Sequence, residues 1–137
     1  MRISMIGAGR VAYHLALVLS AHHEIVQIYS RTLEKAQQLA EQFKAQAIAE
    51  PEQLDHEVDL VIIAVSDQSI ANVIEQIHPY LQQNLIVHTS GSTPLDLLKN
   101  VHARAGVFYP LQTFSLERQI DWQQTPLLIE AVNEQDQ

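Results

Sequence analysis

The run Gly7-Ala8-Gly9-Arg10-Val11-Ala12 follows directly on the apolar segment Arg2-Ile3-Ser4-Met5-Ile6. Two glycines one residue apart, where a strand gives way to a helix, let the backbone approach an anionic group closely. Gly7 suits the tight turn that ends the strand. Gly9, without a side chain, admits a diphosphate against the backbone. Ala12 is small enough for the helix to pack close on the strand. Ala8, Arg10 and Val11 complete the turn, and the start of the helix offers unpaired N–H groups and a positive dipole end. Arg10 either faces a phosphate or lies in solvent. A turn of this pattern also occurs as a plain strand–helix junction. Its place after an apolar strand and before a periodic helix favours binding of a dinucleotide diphosphate.

Three further groups have matching chemistry. Tyr29-Ser30-Arg31-Thr32 ends the second apolar strand, where an acid would bind a ribose 2′-hydroxyl and repel a 2′-phosphate. No acid stands there. Arg31 can grip a phosphate in a forked geometry, and Ser30 and Thr32 can donate hydroxyls to it, so NADP is favoured over NAD. Ser30 and Thr32 also suit helix capping, and the two roles are compatible. Ala64-Val65-Ser66-Asp67 ends a continuous β-branched run and is expected to border the ribose and diphosphate. Thr89-Ser90-Gly91-Ser92 follows another strand and is expected beside the nicotinamide. Hydride transfer there needs a proton donor or acceptor near the substrate heteroatom. His88 and Tyr109 are the two candidates. Each also has a plainer role, His88 as a buried histidine bonded to backbone and Tyr109 as core with its hydroxyl at the edge. No Ser-His-Asp set is assembled, and the seven histidines show no metal-ligand spacing, so no metal is expected.

These groups need elements to carry them. Val11, Leu15, Val18 and Leu19 recur at helical spacing, as do Leu33, Ala36, Leu39, Ala40 and Phe43, and Ile70, Val73, Ile74 and Ile77. Strands are predicted at 2–6, 24–29, 47–49, 59–65, 85–88, 106–109 and 126–130. Pro94 suits the first position of a helix carrying Leu95, Leu98 and Val101. Leu111 to Thr125 reads as an irregular polar stretch. Within it Trp122 either packs locally or covers a surface on which a further domain docks. The 59–65 run has the character of a central parallel strand covered on both faces. Strands alternating with helices imply an α/β fold, a doubly wound and mostly parallel sheet.

At 137 residues the chain holds one domain with a proper core. A net charge of -8 speaks against nucleic acid and anionic membrane surfaces as partners. There is no cysteine, hence no disulfide framework or thiol chemistry. No apolar run is long enough to span a bilayer and no signal peptide precedes the first strand, so a cytoplasmic protein is expected.

The residues G-A-G-R-V-A at 7–12, S-R-T at 30–32, A-V-S-D at 64–67, H-T-S-G-S at 88–92 and F-Y-P-L-Q-T-F at 108–114 give the chain a family likeness. It resembles the N-terminal domain of Rossmann-like NADP oxidoreductases. Their relatives include deazaflavin-dependent NADP reductases, pyrroline-carboxylate reductases and hydroxyisobutyrate-type dehydrogenases. The resemblance implies a dinucleotide-binding domain over 1–132 and a polar tail at 133–137 where a helical second domain would begin. It implies that the second domain is absent here, which puts catalysis by this chain alone in doubt. It also implies that Ser90 and Ser92, with Gly91 allowing close approach, hold a small-molecule substrate, and that a homo-oligomer forms through a missing or exposed apolar surface. A non-catalytic nucleotide-sensing or scaffolding domain is the alternative. An S-adenosylmethionine methyltransferase is disfavoured by the missing acid after the second strand.

Overall fold

The computed structural model describes residues 1–81, 83–110 and 127–131. Among these described residues there are seven strands: β1 Arg2–Ile6, β2 Glu24–Tyr29, β3 Gln46–Ile48, β4 Leu60–Ile63, β5 Leu85–His88, β6 Ala105–Pro110 and β7 Leu127–Ala131. The helices are α1 Arg10–Leu19, α2 Leu33–Phe43, α3 Ile70–Ile77 and α4 Asp96–Lys99. The sheet order is β3-β2-β1-β4-β5-β6-β7. The first six strands pair in parallel, and β7 returns antiparallel on β6, with Phe108 opposite Ile129. This is a Rossmann-type α/β sheet, and the order reverses between β1 and β4.

The strands in the middle explain the two-faced core. Alternate residues of a strand point to opposite sides. Ile6, Val61 and Ile63 join one buried cluster with Ile70, Val73, Ile74 and Ile77 of α3. Ile3, Met5 and Ile62 join the other with Ala12, Leu15 and Ala16 of α1 and Ala36, Leu39 and Ala40 of α2. Ser4 is the polar exception in β1. It is fully buried, and its hydroxyl donates to Gln27 Oε1 at 3.3 Å. Gln27 then ties the sheet to the loop before β4, donating to Gln53 O and accepting from Asp55 N–H, each at 2.8 Å.

Two local expectations, on Leu33 and Pro94, are corrected. In α1 the spacing of Val11, Leu15, Val18 and Leu19 marks the helix as expected; its buried face is Ala12, Leu15 and Ala16, with His14, and Val11 and Leu19 pack half-buried against the same cluster. Small residues sit where helix and strand approach most closely. Leu33 belongs to α2 but is exposed, because the covered part of that helix begins at Ala36. The helix after β5 starts at Asp96 with Leu95 as its cap, two residues beyond Pro94, and is a single turn. The irregular stretch, Trp122 within it, Leu111–Phe114 of the F-Y-P-L-Q-T-F motif, and the tail at 133–137 lie outside the described residues.

Candidate functional site

The strand-to-helix turn after β1 is fixed by its neighbours on both sides. Gly7 N–H donates to Tyr29 O of β2 at 2.7 Å, and Ala64 N–H donates to Ile6 O at 2.7 Å. Gly7 has φ +121°, in the region that favours glycine. A Cβ there would lie 2.3 Å from Ala64 O. Gly7 is therefore required by the fold, whatever binds above it. Gly9 is different. It has an ordinary φ of -93°, and a Cβ built on it would meet nothing within 4 Å. The space above Gly9 is open, and α1 begins there with no side-chain cap and no acidic residue in its first turn. The positive end of the helix dipole is left uncompensated at an open surface, which is the arrangement that binds an anionic group.

That surface is one wall of a cleft of about 1240 Å³ over the carboxyl ends of β1, β2 and β4. Gly7, Ala8, Gly9, Arg10 and Val11 line it, as do Ser30, Arg31 and Thr32 after β2, and Ala64, Val65 and Ser66 after β4. Of the twelve residues assigned to the cofactor from sequence, only Ser90 is not among its lining residues. Lys35 on α2 also lines the cleft and was not foreseen. It stands in the first turn of α2, three residues beyond the Thr32 cap, while Arg31 lies before that cap, so helical spacing does not link the two. Arg10, Arg31 and Lys35 put three of the chain's eight lysines and arginines on this cleft, against Asp67 alone among the acids. The protein is acidic as a whole and basic here.

The loop after β2 is shaped by its serine rather than capped by its threonine. Thr32 occupies the cap position of α2 without a side-chain bond to the helix, while Thr32 N–H donates to Ser30 Oγ at 3.2 Å. Ser30 N–H donates to Ile48 O of β3 at 3.1 Å. Arg31 thus projects from a turn anchored on both flanks. Beneath it Tyr29 is buried, and its phenol is pushed above the ordinary value, by burial first and by the Glu50 carboxylate second. It is a neutral hydrogen-bonding group at the cleft floor.

The segment after β5 is a connected hydroxyl cluster. Ser90 N–H donates to His88 Nδ1 at 3.0 Å, Thr93 Oγ1 donates to Ser90 Oγ at 2.9 Å, and Ser92 N–H donates to Ser90 Oγ at 3.3 Å. Ser92 Oγ donates to Asp67 Oδ2 at 2.6 Å, so the cluster reaches the cleft through Asp67. These hydroxyls, Ser92 first and Ser90 next, hold the Asp67 carboxyl below its ordinary range. His88 is fully buried. It has the geometry of a core histidine that shapes the serine turn, and it does not line the cleft. Tyr109 lies in β6, opposite Leu128 of β7, and its side chain is outside the described residues. Gly91 and Ser92 are exposed, while Thr89 and Ser90 are buried. Among the described residues there is no group of three or more histidine, cysteine or acidic residues that could hold a metal ion. No described helix is long and apolar enough to cross a membrane.

Comparison with known proteins agrees with this geometry. Residues 2–91 match the family model described as NADP oxidoreductase, coenzyme F420-dependent. Among solved structures, the chain is similar to a Bacteroides fragilis protein provisionally described as an NADP oxidoreductase. The two are 36% identical with a TM-score of 0.91, over 98% of this chain and 53% of that one. A Thermotoga maritima protein aligns at 23% identity and TM-score 0.76, over 96% and 49% of the two chains. A pyrroline-5-carboxylate reductase from Coxiella burnetii aligns at 18% identity and TM-score 0.70, over 89% and 52%. The last two likenesses are of fold. The chain spans about half the length of these structures. No curated protein matched.

Proposed function

The chain belongs to the NADP oxidoreductase, coenzyme F420-dependent family, and on that premise we propose that it is the cofactor-binding unit of an enzyme moving hydride between NADP(H) and a small molecule. NADP is the cofactor, and the residues present fit it. The space above Gly9 accepts a diphosphate at the uncapped start of α1. Arg31 and Lys35, with Ser30 and Thr32, supply charge and hydroxyls for a 2′-phosphate. When bound, the nicotinamide supplies the hydride. The chain's own residues orient the dinucleotide across β2, β1 and β4 and leave its reacting end toward Ser90, Gly91 and Ser92, where the substrate is proposed to sit. The observation that carries this reading is the coincidence of three cations and an open glycine turn in one cleft of an acidic protein. A cytoplasmic location and a homo-oligomeric assembly complete the proposal.

The test is calorimetric titration with NADPH and NADH at low salt, on the wild type and on Arg31→Ala and Lys35→Ala. The wild type is expected to prefer NADPH. Each substitution removes one charge from an exposed phosphate contact, and should weaken NADPH by roughly tenfold while leaving NADH nearly unchanged. Equal affinity for the two dinucleotides in the wild type would remove the 2′-phosphate reading. Nucleotide sensing without catalysis is the second reading, favoured by the burial of His88 away from the cleft. NADPH oxidation by this chain with any carbonyl or imine compound would dismiss it.

A further inference from the structure

The sheet order β2-β1-β4-β5 gives the cleft a direction. Arg31 stands beyond β2, the glycine turn beyond β1, Asp67 beyond β4 and the serine turn beyond β5. On the placement proposed above, a dinucleotide with its 2′-phosphate on Arg31 and its diphosphate over Gly9 carries its second nucleoside toward β4 and β5. Asp67 is on that path and lines the cleft. Its carboxylate is not loose, because Ser92 Oγ donates to Oδ2 at 2.6 Å and Ser92 is itself held by Ser90. Among the described residues the ion pair is Arg2–Asp55, at the opposite end of the strands, so no lysine or arginine neutralises Asp67. A fixed carboxylate in a cleft that receives a polyanion works against phosphates. At the other end of the ligand it meets a ring that is positively charged when oxidised and neutral when reduced.

We propose that Asp67 is a specificity-determining residue that distinguishes the redox states of the cofactor, favouring NADP⁺ over NADPH through its charge. The inference depends on the dinucleotide placement in the preceding section. An attraction between unit charges at a partly screened surface corresponds to roughly a three- to fivefold change in an equilibrium constant. The phosphates are common to both redox forms, so their interactions with Arg31 and Lys35 cancel in the ratio of dissociation constants, and Asp67 acts on what remains.

The experiment measures Kd for NADP⁺ and for NADPH by calorimetry at low salt. The proteins are the wild type, Asp67→Asn, Asp67→Glu and Asp55→Asn. Asparagine keeps an acceptor for Ser92 and removes only the charge. The ratio Kd(NADP⁺)/Kd(NADPH) is expected to rise roughly three- to fivefold in Asp67→Asn, with the difference shrinking as salt is added. It should stay near the wild-type value in Asp67→Glu, which retains the charge, and in Asp55→Asn, which changes net charge elsewhere. If Asp67→Asn does not fold, Asp67→Ser provides the same loss of charge. A ratio unmoved in the neutral variant, with both forms bound, overturns the role of Asp67 and leaves the cofactor reading intact. A wild type that binds neither form overturns both.

Discussion

Gly7 and Gly9 are equivalent in the sequence pattern, yet the structure assigns them separate duties that one methyl group can tell apart. At Gly7 an alanine meets two penalties. Its φ of +121° is poorly tolerated by an L-residue, at about 1–2 kcal/mol. Its Cβ would lie 2.3 Å from Ala64 O and 2.9 Å from Ala64 C, backbone atoms of the central strand's exit that cannot swing aside. Relieving such overpacking costs about 1–3 kcal/mol. Gly7→Ala should therefore lose about 2–5 kcal/mol, a large part of the roughly 5–15 kcal/mol that holds a domain of this kind folded. With a urea slope of roughly 2 kcal/mol per molar, the midpoint should fall by about 1–2.5 M. At Gly9 the backbone is ordinary and a Cβ meets nothing within 4 Å. Gly9→Ala should cost no more than about 1 kcal/mol, the loss of a good helix cap residue. Its methyl group stands where the diphosphate must approach, so NADPH affinity should fall at least about tenfold, on the order of 1.4 kcal/mol. Urea denaturation and NADPH titration of the two variants check the pair. A Gly7→Ala protein as stable as the wild type, or a Gly9→Ala protein that binds NADPH normally, would refute the division.

Acid should weaken the fold through His102. This side chain is 1% exposed, Nδ1 to Nδ1 with His78 at 2.8 Å and Nε2 to Asn84 O. Burial is the main reason its pKa lies below the ordinary 6.5, with the carbonyl of Asn84 opposing and His78 and Arg104 adding to the depression. The unfolded chain then binds the proton more readily than the folded one. The contribution of His102 is complete above about pH 6.5 and is lost as pH falls through the folded pKa. Urea midpoints should decline from pH 7.5 to pH 5, and less steeply in His102→Gln; identical slopes would reject His102 as the source. Asn84→Ala should cost about 1–3 kcal/mol, because its side-chain amide donates to His56 O at 2.9 Å and Val58 O at 2.8 Å, fixing the approach to β4. Thermal denaturation would measure that loss, and a shift of a degree or less would show that the two carbonyls find other donors.

The sheet was readable because its central strands are of one character. Val61, Ile62 and Ile63 are β-branched in succession, and only a strand covered on both faces accommodates that. The buried face of α3 was equally plain, since Ile70, Val73, Ile74 and Ile77 are all large and all at helical spacing. Periodicity was less informative for α1 and α2. It gives the spacing of a helix face but not the length over which a sheet covers it, so Leu33 was counted with the core and is exposed. Nor does it rank small residues, although Ala12 and Ala16 are fully buried because they are small. The antiparallel return of β7 on β6 carries no mark in the composition of either strand, because hydrophobic character does not encode strand direction.

The candidate site was legible in pieces and not as a whole, and parallel register explains both facts. Ile6 and Ile63 are partners across β1 and β4. One step further along the same register come Gly7 and Ala64, the pair that forces glycine at position 7. Ile63 and His88 are partners across β4 and β5. Four steps further come Asp67 and Ser92, 25 residues apart like the strand pair below them and joined by a hydrogen bond. Each glycine, serine and arginine could be assigned from its own strand end, because a Rossmann sheet presents ligands to the carboxyl ends of its strands. Their contacts needed the register, and a slip of one residue would turn each strand's side chains to the other face. Lys35 shows the same dependence on local geometry. Arg31 precedes the cap of α2 and Lys35 lies in its first turn, so their common side is decided by where the helix starts. The candidate cleft thus lies just past the last hydrogen bonds of β1, β2 and β4, and what stabilises their pairing also sets the distances across its floor.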